Sequence, residues 1–120
     1  MADTLFFVHP DDTAAAQFAA RYGARGWNVA TCDPRAADAL DRMASADPVA
    51  AVFCLVSGSA FEAEQLAARV LSDGRLRRPL MVFVGGFAEE VESARGHVPF
   101  GVFVSEDELQ WVLKRLVAKY

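Results

Sequence analysis

Four short apolar runs constrain the fold more than anything else in the chain. They are Leu5-Phe6-Phe7-Val8, Ala51-Val52-Phe53-Cys54-Leu55-Val56, Leu80-Met81-Val82-Phe83-Val84 and Gly101-Val102-Phe103-Val104. Each is too short for a helix and rich in β-branched and aromatic residues. None alternates apolar with polar positions, as a strand with one wet face would. Such runs predict strands covered on both faces, hence a parallel sheet with helices above and below it. Open sheets of this kind bind ligands outside the carboxyl ends of their strands. The residues there are His9-Pro10, Ser57-Gly58, Gly85-Gly86 and Ser105-Glu106. They make a weak catalytic set.

The segments between the runs carry helical spacing. Asp11 or Asp12 is placed to cap a first helix with Ala15, Phe18, Ala19 and Tyr22 on its inner face, stopped by Gly23 and Gly26. Trp27 to Cys32 reads as a less apolar edge strand. Asp33-Pro34 predicts the cap and first position of a second helix, with Ala36, Leu40, Met43 and Ala44 inward and Asp47-Pro48 at its end. Ser59 and Glu62 have the spacing of a capping box, and Ala63, Leu66, Ala67 and Val70 form the inner face of the third helix. Arg75-Leu76-Arg77-Arg78-Pro79 reads as a solvated basic connection. Phe87, Val91 and Ala94 share helical spacing in a fourth helix, with Glu89 and Glu90 near its amino end. Pro99 precedes the last strand. The last helix runs from about Glu106 to Lys119, with Leu109, Val112, Leu113, Leu116 and Val117 inward. Strict alternation of strand and helix predicts an α/β fold. Its expected form is a flavodoxin-like (βα)5 three-layer sandwich around a parallel five-stranded sheet of order 2-1-3-4-5.

Composition narrows the function. The 120 residues suffice for one domain, spanning 1–120, and not for two. With 53% hydrophobic and 23% charged residues the chain is globular and not disordered. A formal net charge of −4 argues against a nucleic-acid partner held through its phosphates. No run approaches membrane-spanning length, and no basic region followed by a long apolar stretch opens the chain, so no membrane partner and a cytoplasmic location are expected. Cys32 and Cys54 lack metal-ligand spacing and read as reduced thiols, Cys54 inside a buried strand.

Over its whole length this element order resembles the receiver domain of bacterial response regulators. The resemblance implies a set of side chains at the strand ends: an acidic pair after the first strand, a phosphoryl-accepting aspartate after the third, a hydroxyl after the fourth and a lysine-proline pair after the fifth. Here the acidic pair falls on His9 and Pro10. The acceptor falls on Leu55 or, with a loop shift, on Val56 or Ser57. The hydroxyl falls on Val84 or Gly85, and the lysine-proline pair on Ser105-Glu106. None of the required groups is present. A leucine cannot form an acyl phosphate. The chain therefore looks like a degenerate, or pseudo-, receiver: a regulatory or interaction module in bacterial signalling or localisation, neither an enzyme nor phosphorylated. Asp11 and Asp12 lie two residues beyond the acidic-pair position, where helix capping is the preferred role over metal binding.

Other chemistry finds little support. Phosphate of a flavin or nucleotide would meet a proline without an amide and two carboxylates in His9-Pro10-Asp11-Asp12. Gly85-Gly86 lacks the longer glycine pattern and reads as a tight turn. No cofactor or metal is expected. His9 with Asp11 or Asp33, and Ser57 or Ser59 as nucleophiles, share only residue type and location. The alternative family is the TIR domain, whose opening is similar to Phe6-Phe7-Val8-His9-Pro10-Asp11-Asp12 and Gly26-Trp27-Asn28-Val29. That resemblance implies NAD cleavage by a glutamate after the central strand, Glu62 or Glu64.

One surface residue stands out. On the last helix Trp111 projects opposite the apolar stripe, among Asp107, Glu108, Lys114 and Arg115. Exposed large aromatics at such positions anchor interfaces. The receiver resemblance implies a partner surface on the fourth helix, fifth strand and fifth helix, with Trp111 on or beside it. Trp111, Asp107, Lys114 and Arg115 are thus the candidate contact residues for a protein partner or a homodimer.

Overall fold

A computed structural model describes residues 3–76 and 79–118, apart from the side chains of 116–118. The elements are β1 (Thr4–Val8), α1 (Asp12–Gly23), β2 (Asn28–Cys32), α2 (Ala39–Ala46), β3 (Ala50–Leu55), α3 (Ala60–Ser72), β4 (Leu80–Gly85), α4 (Ala88–His97), β5 (Val102–Val104) and α5 (Glu106–Ala118). The strands form one parallel sheet of order β2-β1-β3-β4-β5, as the sequence predicts.

The unbroken apolar runs have a direct cause. Successive strand side chains point to opposite faces, and both faces are covered. Phe6, Val8, Phe53, Leu55, Met81 and Phe83 pack beneath α2, α3 and α4. Leu5, Phe7, Val52, Cys54, Val82 and Val84 pack beneath α1 and α5. Registered pairs Phe53–Phe83 and Phe83–Phe103 make an aromatic ladder across β3, β4 and β5, with centroids 5.3 and 4.8 Å apart. On the other face Phe7 stacks on Phe18 and Tyr22 of α1. Burial raises the Tyr22 phenol above its ordinary pKa. It pushes Cys32 to about 11 and Cys54 to about 12, so both thiols stay protonated near neutrality.

The structure corrects the helix starts. α2 begins at Ala39, not beside Pro34, because Asp33 closes a turn of its own. Its Oδ1 accepts from the Arg35 amide at 2.8 Å, and the Arg35 guanidinium grips both carboxylate oxygens. These bonds lower the Asp33 pKa. Ser59 occupies the cap position of α3 without bonding the helix amides. It is buried, and its hydroxyl donates back to the Val56 carbonyl at 3.3 Å. Phe87 is not a core residue: it stands just before α4, its amide donates to the Glu90 carboxylate at 2.8 Å, and its ring is exposed. Ala15, Phe18, Tyr22, Met43, Ala63, Leu66, Ala67, Val70, Ala94, Leu109 and Leu113 are buried as expected. Leu116, Val117, Arg77 and Arg78 lie outside the described side chains. Within the basic connection Leu76 is buried, and Arg75 is held by Asp73 at 2.7 Å and Asp41 at 2.9 Å.

Candidate functional site

The carboxyl edge of the sheet is where a parallel fold places its chemistry. After β1, the His9 amide donates to the Cys32 carbonyl at 3.0 Å, tying the turn to β2. His9 Nδ1 accepts from the Asp11 amide at 2.9 Å, which puts the ring proton of the neutral imidazole on Nε2. Asp11 caps α1, accepting from Thr13 and Ala14 at 2.8 and 3.4 Å. Asp12 is the first residue of the helix. The histidine and the capping carboxylate are thus committed to the same turn.

After β3 and β4 the edge is filled by hydrocarbon. Leu55, in register with Gly85, is only 5% exposed and belongs to the core. Gly85 and Gly86 have φ of 74° and 90°, a pair of left-handed residues that turns the chain sharply. A Cβ on Gly86 would lie 2.9 Å from the Leu55 Cβ. Leu55, one of the positions implied for the acceptor, is therefore a packed aliphatic contact; of the alternatives, Val56 is half-buried and Ser57 exposed. After β5, Ser105 and Glu108 form a capping box. The Ser105 amide donates to Glu108 at 3.0 Å, and the Glu108 amide donates to the Ser105 hydroxyl at 3.3 Å. The Ser105 amide first, and then the Ser105 hydroxyl beside the carboxylate, hold the Glu108 pKa below the ordinary carboxylate value. Glu106 pairs with Arg21 of α1 at 3.2 Å. No cluster of three metal-ligating side chains occurs among the described residues. Nor does any hydrogen bond there join His9 to Ser57, Ser59 or Asp33.

The glutamates of α3 have separate fates. Glu64 is 2% exposed, within the stripe of Ala60, Ala63 and Ala67 that lets α4 approach. The Ser93 hydroxyl donates to its Oε1 at 2.7 Å, and His97 Nδ1 reaches the same oxygen at 3.0 Å. Sequence reasoning missed this junction. Its signal was a charged residue set in an alanine stripe, facing Ser93 and His97 one helical turn apart. Glu62 and Glu64 line a cleft of about 380 Å³ together with Glu89 and Glu90. Four carboxylates around one small cleft repel the pyrophosphate of a dinucleotide.

Trp111 is 61% exposed. Lys114 Nζ lies 5.6 Å from its ring centroid. The indole forms one wall of an open cleft of about 650 Å³ shared with Tyr22, Arg25, Trp27, Leu113 and Lys114. That cleft joins α5 to the end of α1 and the α1–β2 connection. Asp107 and Arg115 are exposed. Among the described residues Asp107, Lys114 and Arg115 form no ion pair.

No protein-family model and no curated protein sequence matches the chain. Solved structures do. The Vibrio cholerae chemotaxis protein CheY4 superposes with a TM-score of 0.78 at 12% identity, covering 96% of this chain and 98% of that one. The signal receiver domain of a modulated diguanylate cyclase from Desulfovibrio desulfuricans gives 0.73 at 18% identity, over 99% and 96%. The pseudo-receiver domain of the CikA protein gives 0.66 at 19% identity, over 97% and 98%. At these identities the likeness establishes the fold, which is that of a receiver domain.

Proposed function

We propose that this chain is a pseudo-receiver: a non-catalytic module of bacterial cytoplasmic signalling or localisation that is not phosphorylated and works by protein–protein contact. Leu55, packed on Gly86 at the acceptor position, is the observation that carries this reading. An acyl phosphate needs a carboxylate there. The nearby polar groups do not replace it, because His9, Asp11, Ser105 and Glu108 are engaged in closing helix starts. What remains is a rigid scaffold that displays a surface. The contact face is the outer side of α5, with Trp111 as its aromatic anchor and Asp107, Lys114 and Arg115 as its charged rim. No helix of the described residues is long and apolar enough to cross a membrane.

The experiment is direct. The protein is incubated with a small phosphodonor and Mg²⁺, and its intact mass is measured. The mass is expected to stay unchanged. An acid-labile phosphoryl adduct on any aspartate overturns the reading.

A further inference from the structure

Both tryptophans of the chain line one cleft. Trp27 and Trp111 border the open space of about 650 Å³ between α5 and the α1–β2 connection, above the buried Tyr22 and Leu113. The α1 side is fixed by its backbone. Gly26 turns the chain with φ of 97°, and the Trp27 amide returns to the Tyr22 carbonyl at 3.2 Å. The Arg25 amide donates to the same carbonyl at 3.0 Å. The Arg25 guanidinium lies 5.5 Å from the Tyr22 ring centroid, and Lys114 Nζ lies 5.6 Å from that of Trp111. Neither cation forms an ion pair among the described residues. No carboxylate lines this cleft, in a chain whose formal net charge is −4. The adjoining cleft, which shares Tyr22, Arg25 and Gln110, contains Glu106 and Asp107, so the acid-free lining is confined to the tryptophan side.

We propose that this cleft binds a small planar aromatic acid, with its ring against the indoles and its anionic group at Arg25 and Lys114. The proposal goes beyond the interaction reading and needs no protein partner. Small-molecule sites are concave, mostly apolar and aromatic, with a few polar groups that set orientation, and this cleft lies within their range of about 300 to 1,000 Å³. The charge of the occupant follows from the lining. Ring faces attract cations, but Arg25 and Lys114 already stand over two of them and would repel a cationic ligand. An uncharged ligand would cover both cations without supplying a counter-charge. An anion does supply it. A flat aromatic ring suits the indoles better than a saturated one, because offset and edge-on ring contacts add to the gain from burial. Gln110 offers a donor and an acceptor to a further polar substituent. Because the backbone holds Trp27 and Arg25 in place, binding orders little on that side. The cleft is open, so the affinity is modest, with a dissociation constant on the order of 0.1 mM.

The tryptophans make the test specific, because the two indole N–H signals of the whole chain both report on this cleft. β-Naphthoate, a bicyclic aromatic carboxylate, is titrated to about 2 mM and followed in the proton–nitrogen NMR spectrum. Both indole signals should shift together and saturate. β-Naphthylmethanol, the uncharged analogue, and the saturated decalin carboxylate should each bind at least about fivefold more weakly. Arg25→Gln and Lys114→Gln should each weaken naphthoate binding about fivefold and leave the alcohol unchanged. Trp111→Ala should weaken naphthoate at least about tenfold, read from the remaining Trp27 signal. Thermal melting checks that each variant is folded, and the comparison of the three probes on the wild type stands without any variant. Indole signals that do not shift saturably with naphthoate overturn the proposal. So does an alcohol that binds as tightly as the acid, or a naphthoate affinity that neither charge variant changes. None of these outcomes bears on the interaction reading, which the phosphodonor experiment tests separately.

Discussion

The carboxyl edge of the sheet and the outer face of α5 meet at Ser105, yet they treat polar side chains in opposite ways. At the edge, polar groups are consumed locally. His9 takes the Asp11 amide, Asp11 takes the Thr13 and Ala14 amides, and Ser105 and Glu108 satisfy each other. On the outer face of α5, Asp107, Lys114 and Arg115 form no ion pair among the described residues, and Trp111 stands exposed beside them. A side chain that closes a backbone hydrogen bond stabilises its own loop and is not free to hold a ligand. An uncommitted charge beside an exposed indole contributes little to the isolated domain and much to an interface. Leu55 is thus bound into the core, while the α5 residues proposed for contact remain exposed.

The largest expected effect comes from putting a carboxylate back. Leu55→Asp sets a charge in the core against Gly86. It should lower stability by about 3 kcal/mol or more, read from urea unfolding. It should also remain unmodified by a phosphodonor with Mg²⁺. A variant as stable as the wild type, or one that gains a phosphoryl group, would show that the edge is still a pocket and would break the contrast.

The junction between the two regions responds less. Ser105→Ala removes the α5 cap and should cost about 1 kcal/mol. Glu108 adds a pH dependence whose sign follows from its lowered pKa. The folded state binds the proton less tightly than the unfolded chain, so the stabilisation is fully present above the ordinary carboxylate range. It is lost as pH falls through the lowered folded value. The stability gap between wild type and Glu108→Gln should therefore be widest near neutrality and close as pH falls below the ordinary carboxylate range. A gap independent of pH would mean that the carboxylate does not close the cap.

The smallest effect on stability belongs to the outer face. Trp111→Ala should melt within about 0.5 kcal/mol of the wild type under conditions where the protein is monomeric. Markedly earlier unfolding would make the indole a structural cover for the α1–α5 cleft and would erase the difference between the two regions.

Fold and core were legible because they depend on short-range pattern. Continuous apolar runs at regular spacing dictate buried parallel strands, and their alternating side chains then fill two layers. That Leu55, one of the positions implied for the acceptor, has no carboxylate was equally legible. Helix starts were less so. Asp33, Ser59 and Ser105 all have side chains able to cap, but only Ser105 does, with its partner Glu108 unforeseen. The choice depends on where the backbone carbonyls and amides lie after folding. In Ser59 the carbonyl of Val56 comes within reach first.

Sequence by itself determined the layers and the strand order, because residue type and period carry that information. Tertiary structure alone decided how the edge is closed and where the exposed surface points. Gly86 turns with positive φ, and its backbone lies against Leu55. Glu64 is acceptable in the core only because α4 brings Ser93 and His97 to it. Trp111 shares a cleft with Tyr22 and Trp27, which come from α1 and the connection after it. Each of these depends on contacts between residues distant in the chain, and no local pattern encodes which distant residue will arrive.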